Sequence, residues 1–337
     1  MITTRFTKLL GCSMPIQLAG MGALANGDLA AAVADAGAQG MISWSGMPAE
    51  RLVQALDALR RRTSGALGVN FLIPGFEEEP DEVSRSVAVA AGRAKVIDFF
   101  YHDPVPALVE IVHRHGALAC WQVGSSEEAV AAVEAGCDFI IAQGIEAGGH
   151  IRGTIGVMAL LDEVLRKVRV PVLAAGGIAT GRQLAAVLAA GADGARIGTR
   201  FVVASEAPTH PKYVQALICS EACDTVYTEA FCYGWPNAPH RVLRSCVAAA
   251  QAFQGEIVGE RLSLRTGARA PVHRFECLPV TSDTTGSVEA MPFWAGESVS
   301  GVNKRQPAGQ IVRELVGDAE NLLAKSNSMI AASREQP

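Results

Sequence analysis

Eight short runs of unbroken apolarity punctuate the first 204 residues, beginning near Ile16, Gly40, Leu67, Val96, Leu118, Phe139, Val172 and Ala195. A strand that is apolar at every position, rather than at alternate ones, is buried on both faces, as in a parallel sheet. Helical patterns fill the intervals: Leu184, Val187 and Leu188 recur at i, i+3 and i+4, which places them on one helix face. Three junctions repeat one another. Ala36-Gly37, Ala135-Gly136 and Ala190-Gly191 each close a helical pattern just before an apolar run, where a left-handed residue is needed and glycine supplies it. Ser125 with Glu128, and Thr180, stand where they can cap the helices that follow. Eight strand–helix units predict an α/β chain folded as a (β/α)8 TIM barrel; an open doubly wound sheet is the second choice.

The barrel is expected over 1–204 plus a C-terminal helix at about 305–325, with Val312, Leu315 and Val316 on its apolar face. Between them, about 205–300, the chain is broken by Pro208, Pro211, Pro236, Pro239, Pro271, Pro279 and Pro292 and is expected as a smaller, mainly helical, irregular region. Hydrophobic residues at 49% and charged residues at 19% supply a large core and argue against disorder. A net charge of −5 excludes the basic excess of a phosphate-tracking nucleic-acid binder. No window approaches 18 apolar residues and the start, Met1-Ile2-Thr3-Thr4-Arg5-Phe6, lacks a secretory pattern, so no membrane association is expected. The eight cysteines form no CxxC pair, which fits a reduced, cytoplasmic protein.

In such a barrel, chemistry gathers at the C-terminal ends of the strands. These ends are Ala19-Gly20-Met21-Gly22, Asn70, His102-Asp103, Gln122, the run from Gln143 through Gly148-Gly149-His150 to Arg152, Gly176-Gly177, and Gly198-Thr199-Arg200. The last two expose backbone N–H groups with no side chain in the way, and a helix starting near Thr180 would add its positive end, so a phosphate is expected there. His150, on a glycine-flanked loop facing that site, is the candidate proton carrier or hydrogen-bonding group; general acid–base help is worth roughly 10²–10⁴ in rate. Arg152 is expected as a solvated rim charge, and the acidic loop Ile73–Pro80 as a candidate lid.

The lysines at 8, 95, 167, 212, 304 and 325 all avoid strand ends, which removes Schiff-base chemistry. His102, Asp103 and Glu146 have no metal-ligand spacing, so no metal is expected. By elimination, a phosphate-bearing cofactor would carry the reactivity; elimination does not identify it, and a flavin-free barrel that binds a phosphorylated metabolite stays open.

The ordered set Pro15–Gly22, Gly68-Val69-Asn70-Phe71, Gln143–His150, Ala174–Ala179, Gly191-Ala192-Asp193-Gly194 and Ile197–Phe201 resembles the nitronate monooxygenase family, formerly called 2-nitropropane dioxygenases. The resemblance runs from about 8 to 240 and resumes at Ala295-Gly296-Glu297 and the last helix. It implies FMN as cofactor, with Ala19, Gly20 and Met21 along the isoalloxazine ring and Asn70, Gln122 and Gln143 hydrogen-bonded to it. Gly148 and Gly149 are cofactor-binding on the same reading. Gly176, Gly177, Gly198 and Thr199 would take the phosphate, and His150 would be the catalytic histidine. Family members often carry Lys at the position of Gln122 and Gln at that of Glu297. The implied reaction is oxidation of an alkyl nitronate or nitroalkane by O2, through a peroxynitro species, to a carbonyl compound and nitrite. The implied partners are a small-molecule substrate and O2, with homo-oligomerisation left open. A similar Gly-Gly-His loop occurs in NAD(P)H-dependent reductases acting on quinones or enoyl-thioesters, which is the alternative activity.

Overall fold

The computed structural model describes residues 2–44, 46–263 and 266–334, with side chains up to 326. Met1, Ser45, Leu264 and Arg265, which fall inside the two expected regions, lie outside the described residues. The first six strands are β1 (Ile16–Leu18), β2 (Gly40–Trp44), β3 (Leu67–Leu72), β4 (Val96–Phe100), β5 (Leu118–Val123) and β6 (Phe139–Gln143). After them come the short β7 (Gly149–His150), then β8 (Val172–Ala175) and β9 (Gly194–Ile197). Eight of these, all but β7, form one sheet in the order β1-β9-β8-β6-β5-β4-β3-β2, and every pair in it is parallel. The ends meet: Gln17 bridges Gln39 in parallel, with Leu18 N–H donating to Gln39 O and Gln39 N–H to Ile16 O, both at 2.9 Å. The chain is the (β/α)8 TIM barrel that the apolar rhythm predicts, and all eight strands begin where expected, to within a residue.

Local chemistry builds the connections. Gly37, Gly136 and Gly191 have φ of +86°, +99° and +103°, a conformation other residues rarely adopt. Ser125 Oγ accepts from Glu128 N–H at 3.1 Å, while the Glu128 carboxylate accepts from Gly124 N–H rather than closing a reciprocal box. Thr180 and Gln183 form the full capping box of the helix Gly181–Ala189.

Strand positions alternate between two environments. Ile97, Phe99, Ala119, Trp121, Ile140, Ala142, Val172 and Ala174 pack outward against the helices. Val96, Phe139, Ile141, Leu173 and Ala175 point inward, where Phe6 and Leu10 of the helix Arg5–Leu10 join them and plug the N-terminal end of the barrel. Above this plug the interior turns polar: Gln17, Asn70, Asp98 and Arg196 are all buried. The opening is left at the C-terminal face.

The region after the barrel contributes β10 (Thr225–Thr228), β11 (His240–Leu243), β12 (Ile257–Leu262), β13 (Arg269–His273) and β14 (Thr285–Gly286), alongside helices Pro211–Ile218 and Arg244–Ala252. These five strands, with β7 of the barrel region joining β10 and β11, make two antiparallel three-stranded sheets in addition to the helices expected there. Its apolar cluster, with Tyr213, Phe231, Val242, Met291 and Phe293, also takes in Leu24, Ala179 and Val202 from the barrel side. The final helix runs Ala308–Arg334, longer than the expected segment, and Ile311, Val312, Leu315 and Val316 join the barrel's outer core.

Candidate active site

A cavity of about 480 Å³ opens at the C-terminal face of the barrel, within the range of small-molecule and cofactor sites. The residues that the resemblance assigns to cofactor and catalysis all line it: Ala19, Gly20, Met21, Asn70, Gln122, Gln143, Gly148, Gly149, His150, Gly176, Gly177, Gly198 and Thr199; His102, Asp103, Arg152 and Arg200 do not.

Each is placed by its neighbours. Asn70, on β3, donates Nδ2 to Asp98 at 2.7 Å, so its Oδ1 is left as an acceptor. Gly20 must lack a side chain, because a Cβ there would lie 2.1 Å from Asn70 Oδ1. Gln143, at the end of β6, donates Nε2 to His150 O at 3.0 Å, and its Oε1 is buried with no partner. Gly176 and Gly177, after β8, have φ of +99° and +70°. Gly148 packs backbone to backbone: a Cβ would lie 2.5 Å from Gly296 N, so close approach of the chain at 295–296 already accounts for this glycine. Thr199 Oγ accepts from Gly296 N–H at 3.0 Å.

His150 sits in an unforeseen setting. Its loop forms β7, which pairs antiparallel with β11 in the register His240↔His150 and Arg241↔Gly149. The imidazole lies among Trp235, Trp294, Tyr101 and His240, with ring centroids 4.0, 5.4, 5.6 and 5.5 Å away. Nδ1 is buried without a partner. Burial among these rings, helped by His240, pushes its pKa down to about 3, although part of the ring still opens onto the cavity. His240 is also held below its ordinary value by burial. Its tautomer is set: Nδ1 faces Ala238 O at 2.9 Å and Nε2 accepts from Phe231 N–H.

Because His150 must be neutral to fold and its pKa falls from 6.5 to about 3, the unfolded chain binds more protons between those values. The stability it contributes is complete above about pH 6.5 and is lost as pH falls towards 3. Urea unfolding at pH 7 and pH 4.5 is expected to show His150→Gln losing about 2 kcal/mol less than the parent over that interval, allowing for the part of the ring the cavity wets. Equal losses in both would contradict it.

Several expectations are revised. The helix beginning at Gly181 is capped by Thr180 and Gln183 and lies against the final helix, with Asp318 Cβ 2.3 Å from where a Gly181 Cβ would be; its positive end serves its own cap. Arg200 bonds Lys304 O at 3.3 Å and does not line the cavity. Arg152 is paired rather than solvated, with Asp103 at 2.6 Å and Glu128 at 2.9 Å. Glu146 accepts from Val157 N–H at 3.0 Å through both oxygens, and His102 pairs with Glu77 of the loop after β3 at 2.7 Å. Glu297 pairs with Arg241 at 3.2 Å.

Sequence reasoning missed Tyr101, Trp235 and Trp294 around His150, and Ser43 and Arg196 in the cavity wall. Arg196 in that wall and Asp98 behind it had a visible signal. Asp98 and Arg196 are charges inside strands that are otherwise apolar, Val-Ile-Asp-Phe-Phe and Gly-Ala-Arg-Ile.

The donor set suits a flat heteroaromatic ring with a phosphate tail. Asn70, Gln122 and Gln143 offer amides, Gln143 Oε1 and Ser43 Oγ are buried without partners, and the cradle at Gly176-Gly177 and Gly198 has no blocking side chain. The barrel and this cavity define a flavin-dependent oxidoreductase. The nitronate monooxygenase family model matches residues 3–318, and the chain belongs to that family. A probable nitronate monooxygenase of Staphylococcus saprophyticus is 29% identical over 269 residues, 67% of this chain and 76% of the relative. A putative monooxygenase of Mycobacterium tuberculosis is 36% identical over 187 residues, 55% of this chain and 47% of that protein. Among solved structures, FabK from Thermotoga maritima superposes with a TM-score of 0.78 at 27% identity, covering 98% of this chain and 100% of the other. A nitroalkane oxidase from Streptomyces ansochromogenes gives 0.76 at 27% identity, covering 97% and 100%. Among the described residues no helix is long and apolar enough to cross a membrane, and no cluster of His, Cys, Asp and Glu is arranged to hold a metal.

Proposed function

We propose that this enzyme binds FMN in the cavity and oxidises alkyl nitronates with O2 to carbonyl compounds and nitrite. The observation that carries the reading is the neutral, partly open imidazole of His150 in the same cavity as the glycine cradle, in a chain of the nitronate monooxygenase family. Bound FMN would supply the one-electron oxidation of the substrate and the return of the electron to O2.

The chain's own residues do the rest. Backbone N–H groups at Gly176-Gly177 and Gly198-Thr199 would hold the phosphate without a paired cation. Asn70 Oδ1 and Gln143 Oε1, whose amide nitrogens are already committed, serve as acceptors for the ring's N–H edge, and Gln122 adds a further amide. His150 would orient the nitronate oxygen through Nε2, because Nδ1 is sealed off from the cavity. Trp235, Trp294 and Tyr101 screen that hydrogen bond from water and so strengthen it. A neutral imidazole tolerates an incoming anion, which in turn raises its pKa in the complex.

The likeness to FabK favours a second reading, NAD(P)H-dependent reduction of an enoyl-thioester or quinone at the same flavin. Anaerobic mixing separates the two. Loss of flavin absorbance on adding a nitronate, with none on adding NADH or NADPH, is the expected result. Fast bleaching by a nicotinamide would replace the first reading with the second.

A further inference from the structure

A buried ion pair lies in the barrel interior, with Arg196 in the cavity wall and Asp98 behind it. Arg196, on β9, donates Nη1 to Asp98 Oδ2 at 2.5 Å and to Gln17 Oε1 at 3.2 Å. Asp98, on β4, is wholly buried; it also accepts from Asn70 Nδ2 at 2.7 Å and from Cys120 Sγ at 3.6 Å. Gln17 Nε2 in turn donates to Gln39 Oε1 at 2.8 Å.

Barrel interiors are ordinarily filled with layers of apolar side chains, and a buried ion pair is often no more stabilising than apolar residues of the same volume. The pair is also oriented. Arg196 lines the cavity and Asp98 does not. Both of these hydrogen bonds of Arg196 leave from Nη1, so neither Nε nor Nη2 is committed to Asp98 or Gln17. Arg196 shares the cavity lining with Gly20, Asn70, Gln122 and Gln143. Among the described residues no lysine lines the cavity; its cationic lining is Arg196, on β9, and Arg261, on β12, and of these Arg196 is the one in the barrel interior.

We infer that Arg196 is a cofactor-contacting cation that stabilises negative charge on the bound flavin, and that Asp98 is the positioning residue that aims it and tempers its charge. The inference rests on the reading that the cavity holds a flavin. A cation beside the ring favours any state in which the ring carries an extra negative charge. Two such states can be read without a substrate: the two-electron reduced anion and the covalent adduct of sulfite. The adduct forms one bond between the sulfite sulfur and a ring nitrogen. Its electron pair comes from sulfite and the resulting charge stays on the ring.

The test uses the flavin-loaded protein, titrated with sulfite and equilibrated with redox dyes. The two single variants are expected to move in opposite directions. Arg196→Gln weakens sulfite binding about tenfold and lowers the two-electron midpoint by about 30 mV. Asp98→Asn, which frees the guanidinium from its counter-charge, tightens sulfite binding and raises the midpoint. Arg196→Lys restores most of the parent behaviour. A merely structural pair would shift both variants the same way, or leave flavin properties unchanged, and either outcome overturns the inference. Should the singles fail to fold, the double variant Asp98→Asn/Arg196→Gln leaves no lone buried charge, and sulfite binding at least about threefold weaker is expected; an unchanged affinity overturns the inference. A chain that takes up no flavin overturns it together with the reading beneath it, whereas a loaded flavin of unaltered potential overturns the inference alone.

Discussion

Gly198→Asp is expected to fold, to purify colourless and to bind no FMN at concentrations that saturate the parent. The backbone permits a side chain there, with φ −113° and ψ −76°. An added Cβ would lie 3.4 Å from Ala19 Cβ and 3.8 Å from Met21 Sδ, an ordinary contact that leaves the rest of the side chain to enter the cavity. A carboxylate in that position meets the phosphate with like charge, worth about 4 kcal/mol per pair at 4 Å in a partly screened site. It also occupies the space through which the phosphate would reach the backbone N–H groups. The affinity for FMN is therefore expected to fall by about 10³-fold or more, about 4 kcal/mol. Titration of the flavin-free protein followed by FMN fluorescence measures this, and thermal unfolding without flavin controls for the fold. Gly198→Ala, which adds no charge, should bind close to the parent. If Gly198→Asp binds FMN within a few-fold of the parent, the phosphate lies elsewhere.

A preformed nitronate is expected to be oxidised at least about 100-fold more efficiently at pH 7 than its neutral nitroalkane. The reason lies in His150, whose pKa is pushed down to about 3 by its aromatic surroundings. Such an imidazole is a weak base, and each unit by which the carbon acid lies above it costs about 1.4 kcal/mol in proton transfer. Orienting an anion that has already lost its proton carries no such cost. The sign of the pH dependence follows. His150 stays neutral in the free enzyme from pH 5 to pH 8, so kcat/KM for the nitronate should show no ionisation near 6.5. An ionisation can appear in kcat, because the bound anion raises the pKa of the histidine in the complex. A kcat/KM limb near pH 6.5 that disappears in His150→Gln would show that a protonating His150 governs capture, and would sink this account.

The barrel was legible because its signals are local. Continuous apolarity marks a strand buried on both faces whichever strands flank it, and Gly37, Gly136 and Gly191 announce helix ends through their own φ. The strand ends followed from the same reading. Ala19, Asn70, Gln122, Gln143, Gly176 and Gly198 converge on one cavity because closing a parallel sheet brings every C-terminal end to one face. Their number in sequence was enough to place them. Asp98 and Arg196 could have been read in the same way, as inward-facing charges in apolar strands, since a residue flanked by two outward ones must point into the barrel.

What the chain could not declare locally was the company His150 keeps. Read alone, Gly148-Gly149-His150 is a polar, glycine-flanked loop with an ordinary imidazole. In the fold it is β7, paired with a strand that begins at His240 and enclosed by Trp235 and Trp294. Those partners lie roughly 85–145 residues downstream, and nothing in the periodicity of either segment names the other. The amino-acid order by itself determined the strands, their turns and the ring of residues at the barrel mouth, because propensity and alternation act between near neighbours. Tertiary structure alone decided that this imidazole is uncharged and that its Nδ1 is buried without a partner, because desolvation is set by whichever distant side chains happen to crowd around a group.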